Sequence, residues 1–211
     1  MLKKLVLVVA ATVALSAVFC TVAVAQSWDV YQVNYFANRN NTAGFDQVVN
    51  ITNPGVQGSP LSATEGELCA NIYVFSADQQ MAECCACPIT ADGLLTLSLN
   101  SNLTGNPLTS VSPSSGMIKL VSTIPVGGAC DPTASSIMPA VVQTATEAGS
   151  VAPDLRAWES HLVQTTPGTL FTTESEFAKA PLSEDEAAFL PYTCRFVQYL
   201  GSGKGVCSCG P

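Results

Sequence analysis

Alternating apolar and polar positions dominate the first half of the chain and predict β-strands. Between Trp28 and Phe36, the residues Tyr31, Val33 and Tyr35 share one face. Phe45 to Thr52 groups Gln47, Val49 and Ile51 and closes on Asn53-Pro54-Gly55, a turn sequence. Glu67 to Ser76 has Leu68, Ala70, Ile72 and Val74 on one side and Cys69, Tyr73 and Phe75 on the other. Both faces are largely apolar, so a central strand is expected there. Leu94 to Asn100 and Met117 to Ile124 complete the set. Turn residues such as Asp92-Gly93, Gly105-Asn106-Pro107 and Pro113-Ser114-Ser115-Gly116 separate these runs. Short strands punctuated in this way predict an antiparallel β-sandwich, immunoglobulin-like in general architecture.

The pattern shifts after Gly127-Gly128-Ala129-Cys130-Asp131-Pro132, which reads as a boundary or a long loop. Thr173-x-x-Glu176 and Ser183-x-x-Glu186 have the form of helix capping boxes. The second opens a run in which Ala187, Leu190, Cys194 and Val197 recur at helical spacing. Glu184, Asp185 and Glu186 sit in its first turn, where the helix dipole favours negative charge, and Gly201 should end it. Pro191, inside the run, predicts a kink or a break. Around Leu155, Trp158 and Leu162 the pattern fits a short helix or a strand. The expected fold class is thus mainly β with an α-helical C-terminal section. The expected organisation is a leader over 1–25, a β-sandwich domain over 26–126 and a cysteine-containing mixed α/β section over 127–211, separate or packed into the same domain.

Residues 1–25 are a different material. Lys3 and Lys4 precede the uncharged run Leu5 to Ala25, and Ala23-Val24-Ala25 fits a small-x-small cleavage site that leaves Gln26 as the first mature residue. Left uncleaved, the run could span a bilayer, but the small-residue site that ends it points to removal. Cys20 follows Phe19, where a lipoprotein signal requires a small residue. The short Lys-Lys leader suggests a bacterial exported protein, secreted or periplasmic. No later stretch approaches the ~20 apolar residues of a membrane helix, so no membrane association is expected after cleavage.

Charge narrows the partners. The 211 residues carry 8 Lys+Arg, 16 Asp+Glu and 1 His, a formal net charge of −8. Losing Lys3 and Lys4 with the leader takes the net charge to −10. Nucleic acid, which requires a basic surface, is excluded as a natural partner.

Eight cysteines remain after the leader: Cys69, Cys84, Cys85, Cys87, Cys130, Cys194, Cys207 and Cys209. An even count in an exported chain predicts a disulfide framework whose connectivity the sequence leaves open. Cys84 and Cys85 are adjacent, and neighbouring cysteines rarely join each other, so they are expected to bridge outward in different directions. The competing reading is a copper or zinc site built from Cys84, Cys85, Cys87, Cys207 and Cys209, since clustered soft thiolates suit cuprous copper.

Catalytic candidates are few. His161 is the single histidine, and a Ser–His–acid set would have to use it, without any G-x-S-x-G elbow. It is expected to be a surface or half-buried residue beside Trp158. A carboxylate hydrolase could draw on Glu65/Glu67, Glu174/Glu176 or Glu184/Asp185/Glu186, although helix first turns already account for the last two groups. Trp28, Tyr31, Tyr35 and Trp158 could serve a polysaccharide surface, with core packing the simpler role. Asn38-Arg39-Asn40-Asn41 is the one stretch that suggests calcium, without the loop pattern of a dedicated site.

The leading expectation is a non-enzymatic, disulfide-stabilised exported protein. It would serve as a cell-surface or extracellular binding or structural module, with an unknown ligand or surface partner and no cofactor. Metal handling through the clustered cysteines is the alternative, and a secreted carboxylate-dependent hydrolase a second one.

Overall fold

The computed structural model of the chain describes residues 29–41, 43–56, 58, 66–134, 151–152, 154–166 and 169–210. The expected leader with Cys20, the expected cleavage site at Ala25/Gln26, Trp28 and Glu65 lie outside the described residues.

Among the described residues nine strands, β1 (Tyr31–Phe36), β2 (Val48–Thr52), β3 (Leu68–Ser76), β4 (Met81–Ile89), β5 (Leu94–Ser98), β6 (Gly116–Thr123), β7 (Arg156–Thr166), β8 (Thr169–Glu176) and β9 (Ala178–Lys179), form two antiparallel sheets. The first has the order β4-β3-β6-β1-β9 and the second β5-β2-β7-β8. A helix, α1 (Glu184–Gly201), follows the last strand. The chain passes repeatedly from sheet to sheet. Residues beyond Gly127 supply β7, hydrogen-bonded to β2, and β9, hydrogen-bonded to β1.

Strand β3 explains the arrangement of the interior. It lies between β4 and β6, and every residue from Leu68 to Phe75 is buried. Leu68, Ala70, Ile72 and Val74 join a cluster shared with Val49, Ile51, Leu97 and Ala157 of the second sheet. On the opposite face, Tyr73 and Phe75 pack with Met81, Val121 and the inner side of α1 through Ala187, Leu190, Cys194 and Val197. The first sheet is therefore covered on both sides, which is why its central strand reads as apolar on both.

The structure departs from the sequence pattern at three places. Thr173-x-x-Glu176 does not cap a helix; it lies in β8, where Thr173 pairs with His161 and Glu176 with Trp158. The run Thr169-Leu170-Phe171-Thr172-Thr173 is rich in β-branched and aromatic residues, and pairing with β7 overrides the local capping signal. Met81–Ile89, which contains three of the cysteines, is a full strand. Finally, α1 runs unbroken through Pro191. The proline ring is buried and Cys194, one turn on, is covalently tied to β4, so packing and the tether outweigh the lost backbone bond. At Ser183 the N-cap half of the second box forms, the hydroxyl accepting the Glu186 N–H at 3.2 Å, while the Glu186 carboxylate turns to Lys119 and Tyr31.

Four disulfides join Cys69–Cys130, Cys84–Cys194, Cys85–Cys207 and Cys87–Cys209. Three of them leave β4. Successive side chains on a strand point to opposite faces, so Cys84 reaches α1 on one side while Cys85 and Cys87 enter the shared core on the other. The tail then lies along β4: Cys84 donates its N–H to Gly205 O at 3.0 Å and accepts from Cys207 N at 3.3 Å. Gly205 makes that approach possible, because its φ is +74° and a Cβ there would collide with Val197.

Cys84–Cys194 closes a separation of 110 residues. Replacing both with Ala is expected to cost about 2–5 kcal/mol of stability, with α1 loosened first. Guanidinium unfolding followed by far-ultraviolet circular dichroism measures the loss; an unchanged midpoint would show that packing alone holds the helix.

Candidate functional site

Two regions carry chemistry that the fold itself does not consume. The first lies where the β7–β8 edge of one sheet approaches β1 of the other. His161 Nε2 is 2.7 Å from Ser175 Oγ, and Ser175 Oγ also accepts from Asn34 Nδ2 at 3.2 Å. The hydroxyl keeps a second acceptor site, so either partner of the His161–Ser175 contact can donate, and Nδ1 has no hydrogen-bond partner among the described residues. The imidazole stacks on Tyr35, ring centroids 4.6 Å apart. Trp158, by strand alternation, is on the opposite face of β7, so the histidine's neighbour is Tyr35 and not Trp158. Burial lowers the His161 pKa and keeps the ring neutral near pH 7.

Glu159 lies two residues before His161 on the same face of β7 and directly opposite Ser175 in the strand register. It is fully buried, and neither carboxylate oxygen has a hydrogen-bond partner among the described residues. Burial pushes its pKa up to about 9, so it is a neutral acid at physiological pH. Glu83 on β4 is a second buried acid, raised by burial to about 7, although its Oε1 accepts the Asn106 N–H at 2.8 Å. Sequence reading missed both, because β4 was not foreseen as a strand and the segment around Trp158 fitted helix or strand, so neither glutamate had an assigned face. The pairs it favoured are elsewhere: Glu174 and Glu176 are exposed on β8, and Glu186 accepts from Lys119 at 2.5 Å and from Tyr31 at 3.3 Å.

The second region is the outer side of α1. Its inner side packs on the first sheet, yet Phe189, Tyr192, Phe196 and Tyr199 are 46%, 68%, 54% and 82% exposed. With Leu200 they form one stripe opposite Cys194, so the helix is apolar on both sides. At one end Phe189 stacks on Phe75, with 6.3 Å between centroids, and Lys119 Nζ sits 4.6 Å from the centre of the Phe75 ring. These residues, with Tyr35 and Met117, border a cleft of about 590 Å³. Among the aromatics that sequence reading favoured, Tyr31 is buried, Trp158 half-buried and Tyr35 exposed. A period of three and four in aromatic residues at 189, 192, 196 and 199 was the signal for the stripe; it was overlooked because the apolar core face of the same helix drew the attention.

No protein-family model, curated protein or solved structure matches this chain.

The clustered sulfurs complete the picture. Sγ atoms of Cys85, Cys87 and Cys209 lie within 4.8 Å of one another. Each is in a disulfide, and Cys84 is bound to Cys194 rather than to this group. A metal ligand is a free thiolate, so the oxidised protein offers none of these five sulfurs to copper or zinc. In Asn38 to Asn41, the calcium candidate, two side-chain oxygens are already engaged by the chain: Asn40 Oδ1 accepts from Arg39 Nη1 at 2.9 Å and Asn41 Oδ1 from Phe45 N at 3.0 Å.

The buried acids set a pH dependence with a definite sign. Glu159 has a folded pKa near 9 against an ordinary value of 4.5, so the folded state holds the proton more tightly. Its stabilisation is complete below the ordinary value and is lost as pH rises towards 9, at a slope of at most about 1.4 kcal/mol per pH unit. Glu83 adds the same sign over the lower part of the window, up to about 7. Glu159→Gln mimics the protonated form, and its urea midpoint should vary less between pH 5 and 9 than that of the wild type. Parallel pH profiles would show that Glu159 is ionised and solvated in the fold.

Proposed function

We propose that this is an exported, non-enzymatic module, built as a disulfide-stapled antiparallel sandwich, that acts by presenting a rigid aromatic surface to a macromolecular partner outside the cell. The carrying observation is the outer stripe of α1. A monomer rarely exposes a contiguous apolar patch of more than a few hundred Å², and larger patches mark interaction sites. Aromatic anchors are the side chains that binding surfaces favour, because they bring large area at little cost in side-chain entropy. The support beneath them is stiff: the inner face is packed and Cys84–Cys194 fixes the middle of the helix.

The sequence pattern of residues 1–25 supports export, and so do the disulfides, which persist in oxidising compartments. Among the described residues no helix is long and apolar enough to cross a membrane. The Ser175–His161 contact does not favour an enzyme over this reading. The hydroxyl and imidazole meet, but the acid nearest in sequence, Glu159, is neutral and leaves Nδ1 without a partner.

Expression of the full chain in a bacterial host tests both halves. The recovered protein should begin at Gln26 and take up no alkylating reagent at cysteine after denaturation without reductant. In dilute solution it should enhance anilinonaphthalene sulfonate fluorescence, and Tyr192→Ala/Phe196→Ala should lose most of that enhancement while keeping the same circular dichroism. A cytosolic chain with its first residues intact and free thiols would overturn export. Equal dye fluorescence from the double variant would overturn the aromatic surface as the binding face.

A further inference from the structure

The four disulfides differ in what surrounds their sulfurs. Cys84 and Cys194 are both completely buried, so no dissolved thiol reaches either. Cys69 is buried and Cys130 partly exposed, which leaves that bridge open to attack from one side. Cys87 and Cys209 divide in the same way, with Cys87 buried and Cys209 partly exposed near the end of the chain. What sets this last bridge apart is its neighbour. The Sγ atoms of Cys85, Cys87 and Cys209 all lie within 4.8 Å of one another, so a sulfur of the Cys85–Cys207 bridge stands beside both sulfurs of Cys87–Cys209. Among the described residues no third sulfur lies that close to both ends of Cys69–Cys130 or of Cys84–Cys194.

This closeness does not depend on the sulfur–sulfur bonds themselves. Strand alternation puts Cys85 and Cys87 on one face of β4. Backbone bonds lay the tail against that strand, from Cys84 N to Gly205 O and from Cys207 N to Cys84 O. The residues on either side of Cys209 are both held by Asn102, whose Nδ2 donates to Ser208 Oγ at 2.8 Å and to Gly210 O at 3.4 Å, and whose carbonyl accepts Ser208 N at 3.0 Å. Opening Cys87–Cys209 therefore leaves Cys209 beside β4, with Ala86 O 3.3 Å from its sulfur as an acceptor for a thiol proton. A freed sulfur held in this way meets its neighbour at an effective concentration on the order of millimolar or above, more than a dilute external thiol supplies.

We propose that Cys209 is a site of thiol–disulfide exchange with small dissolved thiols, and that Cys85 passes the opening on to the second tail bridge. The thiolate of the external compound attacks Cys209 Sγ, the sulfur that solvent reaches. A new S–S bond forms there, the Cys87–Cys209 bond breaks, and its electron pair and then a proton go to Cys87. A second molecule of the thiol removes the first as its disulfide and leaves Cys209 as a thiolate. That thiolate attacks Cys85 Sγ beside it: Cys85–Cys209 forms, Cys85–Cys207 breaks, and Cys207 leaves with the electron pair and takes up a proton. In sum, two external thiols are oxidised to one disulfide and one protein disulfide becomes two thiols, which rest on Cys87 and on either Cys209 or Cys207. The tail stays bonded to β4 in both forms, so the edge strand remains covered while the protein is partly reduced. The substrate class is a compact, water-soluble monothiol, matched to the one partly exposed sulfur of the pair of bridges. The aromatic face of α1 takes no part.

Brief exposure of the oxidised protein to limiting glutathione, followed by acid quenching, alkylation with N-ethylmaleimide and peptide mapping, provides the test. Within the tail bridges glutathione should be joined to Cys209 and maleimide to Cys87, with at least about a tenth of the remaining tail label on Cys207. Cys84 and Cys194 should stay unlabelled. Cys207→Ala gives a second reading without any added thiol. Cys85 then has no partner of its own and should share the single free thiol with Cys87, as Cys87–Cys209 and Cys85–Cys209 interchange. In Cys130→Ala, the control, the free thiol should stay on Cys69 alone. Glutathione joined to Cys207 instead of Cys209, or label appearing at Cys84 and Cys194 first, would remove Cys209 as the point of entry. Tail label confined to Cys87 and Cys209, or a Cys207→Ala protein whose thiol stays wholly on Cys85, would remove the passage through Cys85. Mapping of the wild type alters no residue, so it decides the matter even where a variant does not fold.

Discussion

Side-chain alternation along β4 is the constraint on which the rest of the molecule depends. Cys84 and Cys85 are adjacent, so they must point to opposite faces of the sheet. One sulfur therefore goes to the helix and its neighbour to the tail, and Cys87, two residues on, follows Cys85. A single strand thus anchors α1 on one side of the first sheet and the last residues of the chain on the other. It is also an edge strand, and the tail lying along it occupies backbone groups that would otherwise be open to pairing with another chain. The covalent and hydrogen-bonded roles reinforce each other, because each disulfide holds the tail at the distance its backbone bonds require.

The strands with clean alternation were legible from the sequence because their physics is local. Gln47, Val49 and Ile51 turned inward together, and both faces of β3 are covered, for the reasons their patterns indicate. The helix after Ser183 was equally plain, since cap, dipole charges and apolar period agreed. What escaped was whatever long-range contacts decide. The pairing of β8 with β7 overrode a capping box, and burial and a distant sulfur carried α1 across Pro191. Strand β4 was hidden by its cysteines, whose chemistry obscured their ordinary apolar burial. The candidate surfaces were less legible still. Whether Glu159 faces solvent or core depends on the second strand and the second sheet, and nothing in its neighbours along the chain records that.

The two buried acids show what the disulfides permit. Glu159 keeps its proton and contributes no charge to an interior that could not solvate one, while Glu83 keeps one oxygen bonded to the Asn106 backbone. Asn106 in turn holds the tail, donating from Nδ2 to Gly203 O and accepting from Gly205 N. Such interior polar groups weaken a core of modest size. A framework that restricts the unfolded chain at four points offsets that weakness without any gain in packing.

The helix shows how one element can serve the fold and something beyond it. An amphipathic helix ordinarily spends its single apolar face on the core and leaves the other to charges. Here the inner face is narrow and small, with Ala187, Leu190, Cys194 and Val197 as its contacts, and much of its attachment is covalent. Attachment by sulfur needs little apolar area, so most of the outer face is left to water, with Phe189 at one end stacking back on Phe75. Phe189 returns a contact with Phe75, but Tyr192, Phe196 and Tyr199 stay exposed and cost solubility. Contact with another surface is the physical setting in which such rings, held on a stiff support, become stabilising.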